Sequence, residues 1–402
     1  MILLKNGLVM QDELKKLDIL IDDEKIIEIA PDIFGDYEVI DCSGRIIFPG
    51  LIDVHVHLRE PGFEYKETIK TGSMSAAKGG FTTIMTMPNL KPVPDSVENL
   101  KIEMDIINKD SIVNIYPYGA FTKGEKGEEL ADIDDLAKYV KAISDDGVGV
   151  NNLELLDQGM KLVKKNNLVI ASHAEDNIYK TAPKGEYLAV EREIKYAIKN
   201  DVKYHFCHMS TKESFDFIRE AKKNGTEITC EVAPHHLFLN EEMIKGNPNF
   251  KMNPPLRSRE DMEATINALL DGTADIIASD HAPHSKEEKQ REYSKCPNGI
   301  IGLETTLPLV YTNLIKTNKA SLLDLKRWLV DNPSRIFNLE NNEIKVGNNC
   351  NLVVIDIDNP HTYSIDEIKS KAQNSPYIGY KLYGWPVLTI CNGKIVYQKD
   401  GK

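Results

Sequence analysis

Imidazoles gather where the chain's apolar runs end. His55 and His57 close LIDVHVHL, His173 closes LVIASH, and His205 and His208 punctuate VKYHFCHMS. His235 and His236 close TEITCEVAPHH, and Asp280, His281 and His284 close ADIIASDHAPH. Imidazole and carboxylate together hold divalent cations, and a bound cation polarises carbonyls and makes a water acidic near neutral pH. On a strand, residues i and i+2 point the same way, so His55 and His57 can grip one ion. An isolated His-x-His is weak evidence, and a lone histidine such as His173 is most often a hydrogen-bonded core residue. His55, His57, His173, His208 and Asp280 taken together are a five-ligand set. His205 lies an odd number of positions from His208 and reads as structural. The ligand types suit zinc, with cobalt, manganese or iron as alternatives, and their spacing does not choose between one ion and two.

These residues meet only if the strand ends share one face. From about Phe48 to Leu339, eight short apolar runs alternate with helical segments: LIDVHVHL, FTTIMTMPN, SIVNIYPYGA, GVGV, LVIASHAED, VKYHFCHMS, TEITCEVAPHH and ADIIASDHAPH. Eight strand–helix repeats fit an α/β fold of the (β/α)8 TIM-like barrel type, in which every strand C-terminus opens on one mouth. Ser210 with Glu213 and Ser258 with Asp261 have capping-box spacing, and Asn224-Gly225 and Gly272 close the helices that follow. A second ion needs a bridging anion from the fourth run, GVGV, which Asp145-Asp146 precede. Adjacent strand residues face opposite ways, so only one aspartate reaches the centre, and Asp-Gly is also a common turn pair. Both chain ends read as short strands, with Asn392-Gly393 as a hairpin turn. The simplest division is a small β-sandwich domain composed of residues 1–47 and 345–402 around a barrel of 48–344.

The chain has 402 residues, 41% hydrophobic and 28% charged, which suffices for a large core. Its net charge of −13 argues against a phosphate-backbone binder. Six scattered cysteines without a CxxC pair suit a reducing cytoplasm. The N-terminus lacks the apolar core of a signal peptide, and no run approaches the roughly 18 apolar residues of a membrane span. Neither GxGxxG after the first strand nor GxxxxGK[ST] occurs, so dinucleotide and P-loop binding have no support.

Across essentially its whole length the chain resembles the amidohydrolase superfamily, and within it the type I dihydroorotases. The stretches that carry this are GLIDVHVHLREPGFEYKETIKTG, TTIMTMPN, DDGVGV, SHAEDN, CHMSTKES, KMNPPLRS, ASDHAPH and GIIGLET. The resemblance implies reversible cyclisation of N-carbamoyl-L-aspartate to L-dihydroorotate and water, a step of pyrimidine synthesis. It implies a metal-bound hydroxide as nucleophile and Asp280 as general acid and base. His55, His57 and Asp280 would hold one zinc, His173 and His208 a second, and Asp146 would bridge them. Many relatives bridge with a carbamylated lysine, but no lysine lies between Lys141 and Lys161. A single ion therefore stays an alternative. Arg59, Asn89 and His284 would hold the substrate carboxylate. Asn253 and the backbone at Asn298-Gly299 would meet the ring, and His57 borders it. The resemblance also makes aspartate transcarbamoylase a candidate partner. Independently of the family, Arg59 two residues past His57 offers a planar fork that matches a small carboxylate.

Three rival readings are distinguishable. A hydantoinase or allantoinase shares the fold but not the clamp. A metal-dependent deaminase shares the ligands, and Glu175 beside His173 gives it weak support. A non-catalytic subunit on the same barrel usually lacks ligands that this chain retains.

Overall fold

The structure, a computed structural model, describes residues 1–399. Five strands open the chain: β1 (Ile2–Met10), β2 (Leu14–Asp22), β3 (Lys25–Ala30), β4 (Glu38–Asp41) and β5 (Ile46–Pro49). Nine strands then run through the middle: β6 (Leu51–Val56), β7 (Phe81–Thr86), β8 (Asn114–Pro117), β9 (Gly119–Ala120), β10 (Ala142–Ser144), β11 (Val169–Ser172), β12 (Tyr204–Phe206), β13 (Ile228–Val232) and β14 (Ile276–Ile277). The C-terminal part adds β15 (Leu352–Asp356), the short pair β16 (His361–Thr362) and β17 (Lys381–Leu382), β18 (Trp385–Cys391) and β19 (Lys394–Gln398).

The two chain ends share one sheet, ordered β19-β18-β15-β5-β1-β2-β3, with β4 paired to β1. β15 lies antiparallel to β5, so the seam between the ends is a backbone ladder from Leu352↔Pro49 to Ile355↔Ile46. Asn392 and Gly393 make the two-residue turn between β18 and β19, both at positive φ (48° and 73°), as the primed hairpin turns require.

In the middle, β9 to β14 form a six-stranded sheet and β6-β7-β8 a three-stranded one, all pairs parallel. The two arcs touch at both ends. Tyr118 alone separates β8 from β9, and Val56 bridges His281, beyond β14, in parallel. An apolar cluster takes residues from five of these strands, among them Ile52, Val54, Met85, Ala142, Val169, Ala171 and Ile276, and fills the inside of the ring. Leu51, Ile84, Ile143 and Ile170 alternate with them and pack outward against the helices. The helix Leu153–Lys165 shows how: Leu156, Met160 and Val163 recur at helical spacing and are buried, and Asn152 caps it by accepting from Leu155 N.

Two local expectations fail. GVGV is not a strand; the fourth parallel strand is the three-residue β10, ahead of the aspartates, and residues 147–150 are turn and coil. Ala-Ile-Ser is too short and too weakly apolar to stand out in the sequence. Ser210 does not cap the helix Lys212–Lys223, whose N-cap is Thr211 without a side-chain cap bond. A buried acid claims both hydroxyls instead. Glu186 accepts from the Ser210 and Thr211 amides at 3.0 and 2.9 Å and from both hydroxyls, and lies 3.5 Å from Arg257 Nη2. Ser258 does cap its helix, accepting from Asp261 N.

Glu186 thus fixes the loop that follows His208. Burial alone would raise its pKa, but the Arg257 charge and the four donors hold it below the usual glutamate range. A depressed folded pKa stabilises above the unfolded value and is lost as pH falls through the folded value. Glu186→Ala is expected to destabilise by about 3–5 kcal/mol near neutral pH, because Arg257 is left buried and unpaired. The gap from wild type should narrow on acidification. Urea midpoints at pH 7 and pH 4 check both statements.

Candidate metal centre and its cavity

The site lies just past the C-terminal ends of the parallel strands. His57 is one residue beyond β6, Asp146 two beyond β10, His173 one beyond β11 and His208 two beyond β12. Arg59, His208 and Asp280 adopt left-handed backbone (φ 62°, 37° and 46°), a conformation that costs a non-glycine residue energy and turns the chain sharply at the mouth.

β6 carries the decisive irregularity. Ile52 and Val54 point into the ring, so a regular strand would send His55 and His57 outward. The pairing with β7 slips between Asp53 and Val56, and Val56 packs outward. The slip transfers His55 and His57 to the inside. Asp53 pins it, accepting from His55 N at 3.0 Å and from Ser279 N at 3.0 Å. Burial pushes the Asp53 carboxyl up to about 7 despite these bonds.

Asp146 faces all four candidate imidazoles. Its Oδ1 lies 3.5 Å from His55 Nε2, 3.8 Å from His173 Nδ1 and 3.6 Å from His208 Nε2, and its Oδ2 lies 3.5 Å from His57 Nε2. Asp280 Oδ1 is 3.2 Å from His57 Nε2 and 3.7 Å from His55 Nε2. Among the described residues, His55, His57 and Asp146 offer three ligand atoms within 4.8 Å of one another, and so do Asp146, His173 and His208. The two triplets share only Asp146. Its neighbour Asp145 turns away to accept from the Phe121 and Thr122 amides at 2.8 and 2.9 Å.

Whether these residues suit a cation can be judged from their loose ends. His55 Nε2 and Asp146 Oδ1 are buried without a hydrogen-bond partner, and His173 Nδ1 and His208 Nε2 face each other at 3.0 Å. Unsatisfied buried polar atoms are costly, and lone pairs aimed at one point are what a divalent ion satisfies. The donor set fits the ion.

One residue outside the sequence-derived set completes this arrangement. Glu231 on β13 lies 2.6 Å from His55 Nδ1 and 3.1 Å from His205 Nε2. It fixes the ring of His55 so that Nε2 faces Asp146, the usual task of a carboxylate behind a metal-binding imidazole. Burial would raise the Glu231 pKa, but His55 and His205 hold it at about 2. A single acid inside the apolar run ITCEV was the available signal. His205 is thereby engaged with Glu231 and Thr229 and does not reach the cavity.

A cavity of about 330 Å³ opens above this floor, lined by His57, Arg59, Asn89, Asp146, His173, His208, Asn253, Asp280, Ala282, His284, Asn298 and Gly299, with Gly147 and Val148. His55 lies beneath it, fully buried. Arg59 Nε donates to Pro283 O at 3.3 Å, and its guanidinium forms no ion pair among the described residues. Asn253 Nδ2 lies 3.1 Å from His173 Nε2 and 3.2 Å from Glu175 Oε2, which ties Glu175 to the orientation of His173. His284 Nε2 donates to Asn298 O at 2.6 Å, while its Nδ1 faces Lys66 Nζ at 3.4 Å. Burial and the charges of Arg59 and Lys66 push the His284 pKa down to about 3, so the ring is neutral. Lys289 pins the far wall, donating to the carbonyls of Lys251, Pro297 and Gly299 at 3.3, 3.1 and 2.9 Å.

Burial alone would raise the Asp280 pKa, yet the hydrogen bond from His57 and the neighbouring imidazoles hold the carboxyl far below its ordinary value. Asp280 is therefore ionised, beside His55 and His57 and facing the cavity. An ionised carboxylate beside a place for a divalent ion, under a cavity whose guanidinium has no ion-pair partner among the described residues, can relay a proton while an amide bond in a small anion opens or closes.

Solved structures share this fold. The L-hydantoinase (dihydropyrimidinase) of Arthrobacter aurescens superposes with a TM-score of 0.90 at 24% identity, covering 100% of this chain and 96% of that one. The D-hydantoinase (dihydropyrimidinase) of a Thermus species gives 0.87 at 24% identity, covering 99% and 96%. These likenesses show the fold. A family model described as dihydro-orotase-like matches residues 44–184. The dihydroorotases of Bacillus cytotoxicus and Bacillus cereus are each 44% identical over 421 aligned residues, covering 99% of this chain and 98% of theirs. The chain belongs to the dihydroorotase family. No helix among the described residues is long and apolar enough to cross a membrane.

Proposed function

We propose that the chain is a type I dihydroorotase, interconverting N-carbamoyl-L-aspartate with L-dihydroorotate and water in cytoplasmic pyrimidine synthesis. The observation that carries this reading is the meeting, in and just beneath one cavity, of Asp280, the two ligand triplets and the unpaired Arg59 guanidinium. Full-length identity to dihydroorotases selects among the cyclic amidohydrolases. We read the parallel strands as a closed (β/α)8 barrel of residues 48–344, and residues 1–47 with 345–402 as the small β-domain.

In this reading His55, His57 and Asp280 would hold one zinc ion, His173 and His208 would hold another, and Asp146 would serve both. Ions bound there supply a Lewis acid for the ring carbonyl and a water acidic enough to attack at neutral pH. Arg59 takes the substrate carboxylate in a charge-assisted fork and sets the ring over the floor. Asn89 and His284 flank that carboxylate, while Asn253 and the backbone at Asn298-Gly299 border the ring. Asp280 accepts the proton of the attacking water and passes it to the departing amide nitrogen. In the reverse direction Asp280 removes a proton from the carbamoyl nitrogen as that nitrogen attacks the side-chain carboxyl. One proton is consumed in cyclisation, so acid favours the ring.

The test is metal content measured beside turnover. Purified protein should hold two zinc ions per chain, chelation should abolish interconversion of dihydroorotate, and zinc should restore it. Full turnover by metal-free protein, or faster turnover of hydantoin than of dihydroorotate, overturns the reading. Co-elution with aspartate transcarbamoylase in gel filtration tests that partner.

A further inference from the structure

Asn89 borders the cavity, yet both of its amide hydrogens are already committed. Its Nδ2 lies 2.6 Å from the backbone oxygen of Asp146 and 3.0 Å from Glu125 Oε1. Turning the amide over would set two carbonyl oxygens against each other at that shorter distance, so its orientation is fixed. Its Oδ1 is buried with no partner. As it stands, Asn89 has no donor left for a ligand carboxylate.

The residue that takes the second hydrogen is itself a carboxyl. Glu125 projects from the turn between Thr122 and Leu130, whose backbone is tied down. Glu125 N donates to Thr122 O at 3.1 Å, Gly124 N to Asp95 Oδ2 at 2.8 Å, and Lys123 N to Glu129 O at 2.8 Å. The backbone of the turn is therefore fixed, and release of the Asn89 donor falls to rotation of the Glu125 side chain. Glu125 forms no ion pair among the described residues, and burial together with the nearby Asp145 and Asp146 pushes its pKa up to about 9. Arg59 and the Asn89 amide pull in the opposite direction. A carboxyl without a cation of its own therefore sits on the Asn89 donor and in the field of Arg59, the two groups assigned to an incoming carboxylate.

We propose that Glu125 is an internal carboxyl that occupies the Asn89 donor in the free protein and yields it to the carboxylate of an acidic ligand. A carboxylate accepts from this donor more strongly than the carbonyl of a neutral cyclic ureide does, so the competition favours acidic ligands. The identity of the acidic ligand rests on the dihydroorotase reading; the competition itself does not.

The experiment uses the zinc-loaded wild type with E125A and E125Q. Binding of N-carbamoyl-L-aspartate and of succinate is measured by calorimetry, beside steady-state turnover of dihydroorotate. If the donor is held nine-tenths of the time, freeing it tightens apparent binding about 10-fold. E125A should show that gain for both acids, and its kinetic change should fall in KM rather than kcat. E125Q keeps an acceptor within reach of Asn89 and should lie between E125A and wild type; being nearly isosteric, it carries the test if E125A does not fold. Unchanged or weaker binding of both acids in the variants overturns the proposal and makes Glu125 a prop for Asn89. Tighter succinate binding by the variants of a protein that never turns over dihydroorotate sinks the reaction reading alone. Turnover by wild type without any gain in the variants sinks the Glu125 reading alone.

Discussion

Asp280→Asn is expected to cut turnover by roughly 10²- to 10⁴-fold, the range that general acid–base catalysis supplies. The amide nearly matches the carboxylate in shape, so the fold and the cavity should survive. What it loses is the proton affinity of an ionised oxygen placed 3.2 Å from His57 Nε2 and open to the cavity. The loss should appear in kcat in both directions, because one group carries the proton whichever way the ring moves. Zinc content has to be measured in the same sample. A variant that keeps its metal and turns over at a near-normal rate removes Asp280 from the proton path. A variant that has lost its metal shows instead that this oxygen is needed chiefly as a ligand.

Arg59→Met should raise KM on the order of 10- to 100-fold, the worth of a charge-assisted hydrogen bond of about 1.5–3 kcal/mol. The guanidinium forms no ion pair among the described residues, so its hydrogen-bonding edge is available to a ligand. Methionine keeps much of the length of the side chain and removes both fork and charge. The effect should be specific to substrates that bear a carboxylate, which a parallel assay with hydantoin checks. Metal content that falls while KM stays constant would mean that Arg59 serves the floor of the site rather than its ligand.

The list of side chains to examine was legible in the sequence because chemistry and element ends coincide there. Imidazoles placed after short apolar runs, and an arginine two residues past a His-x-His, stand out without coordinates. The supporting acids did not stand out to the same degree. Glu231 is one charge within ITCEV, and its meaning depends on β13 lying beside β12, where it can reach both His55 and His205. Glu125 lies in the charged turn KGEKGEE, where nothing separates it from its solvated neighbours until the fold lays it against Asn89. Glu186 likewise takes the Ser210 hydroxyl that local spacing assigned to a helix cap, because a buried acid facing Arg257 outbids a surface cap. The fourth strand was misplaced by a few residues, since Ala142–Ser144 carries almost no hydrophobic signal of its own and is held by its neighbours β9 and β11.

The sequence by itself determined that His55 and His57 stand on the same side of their strand, since a period of two needs no partner. Which side that is, only the tertiary structure decided. Ile52 and Val54 claim the inside of the ring, and a regular β6 would have turned both imidazoles toward the helices. The slip in pairing between Asp53 and Val56, pinned by Asp53 on the amides of His55 and Ser279, reverses the alternation. A register shift is a property of two strands and the groups that hold them, so no single segment of sequence contains it.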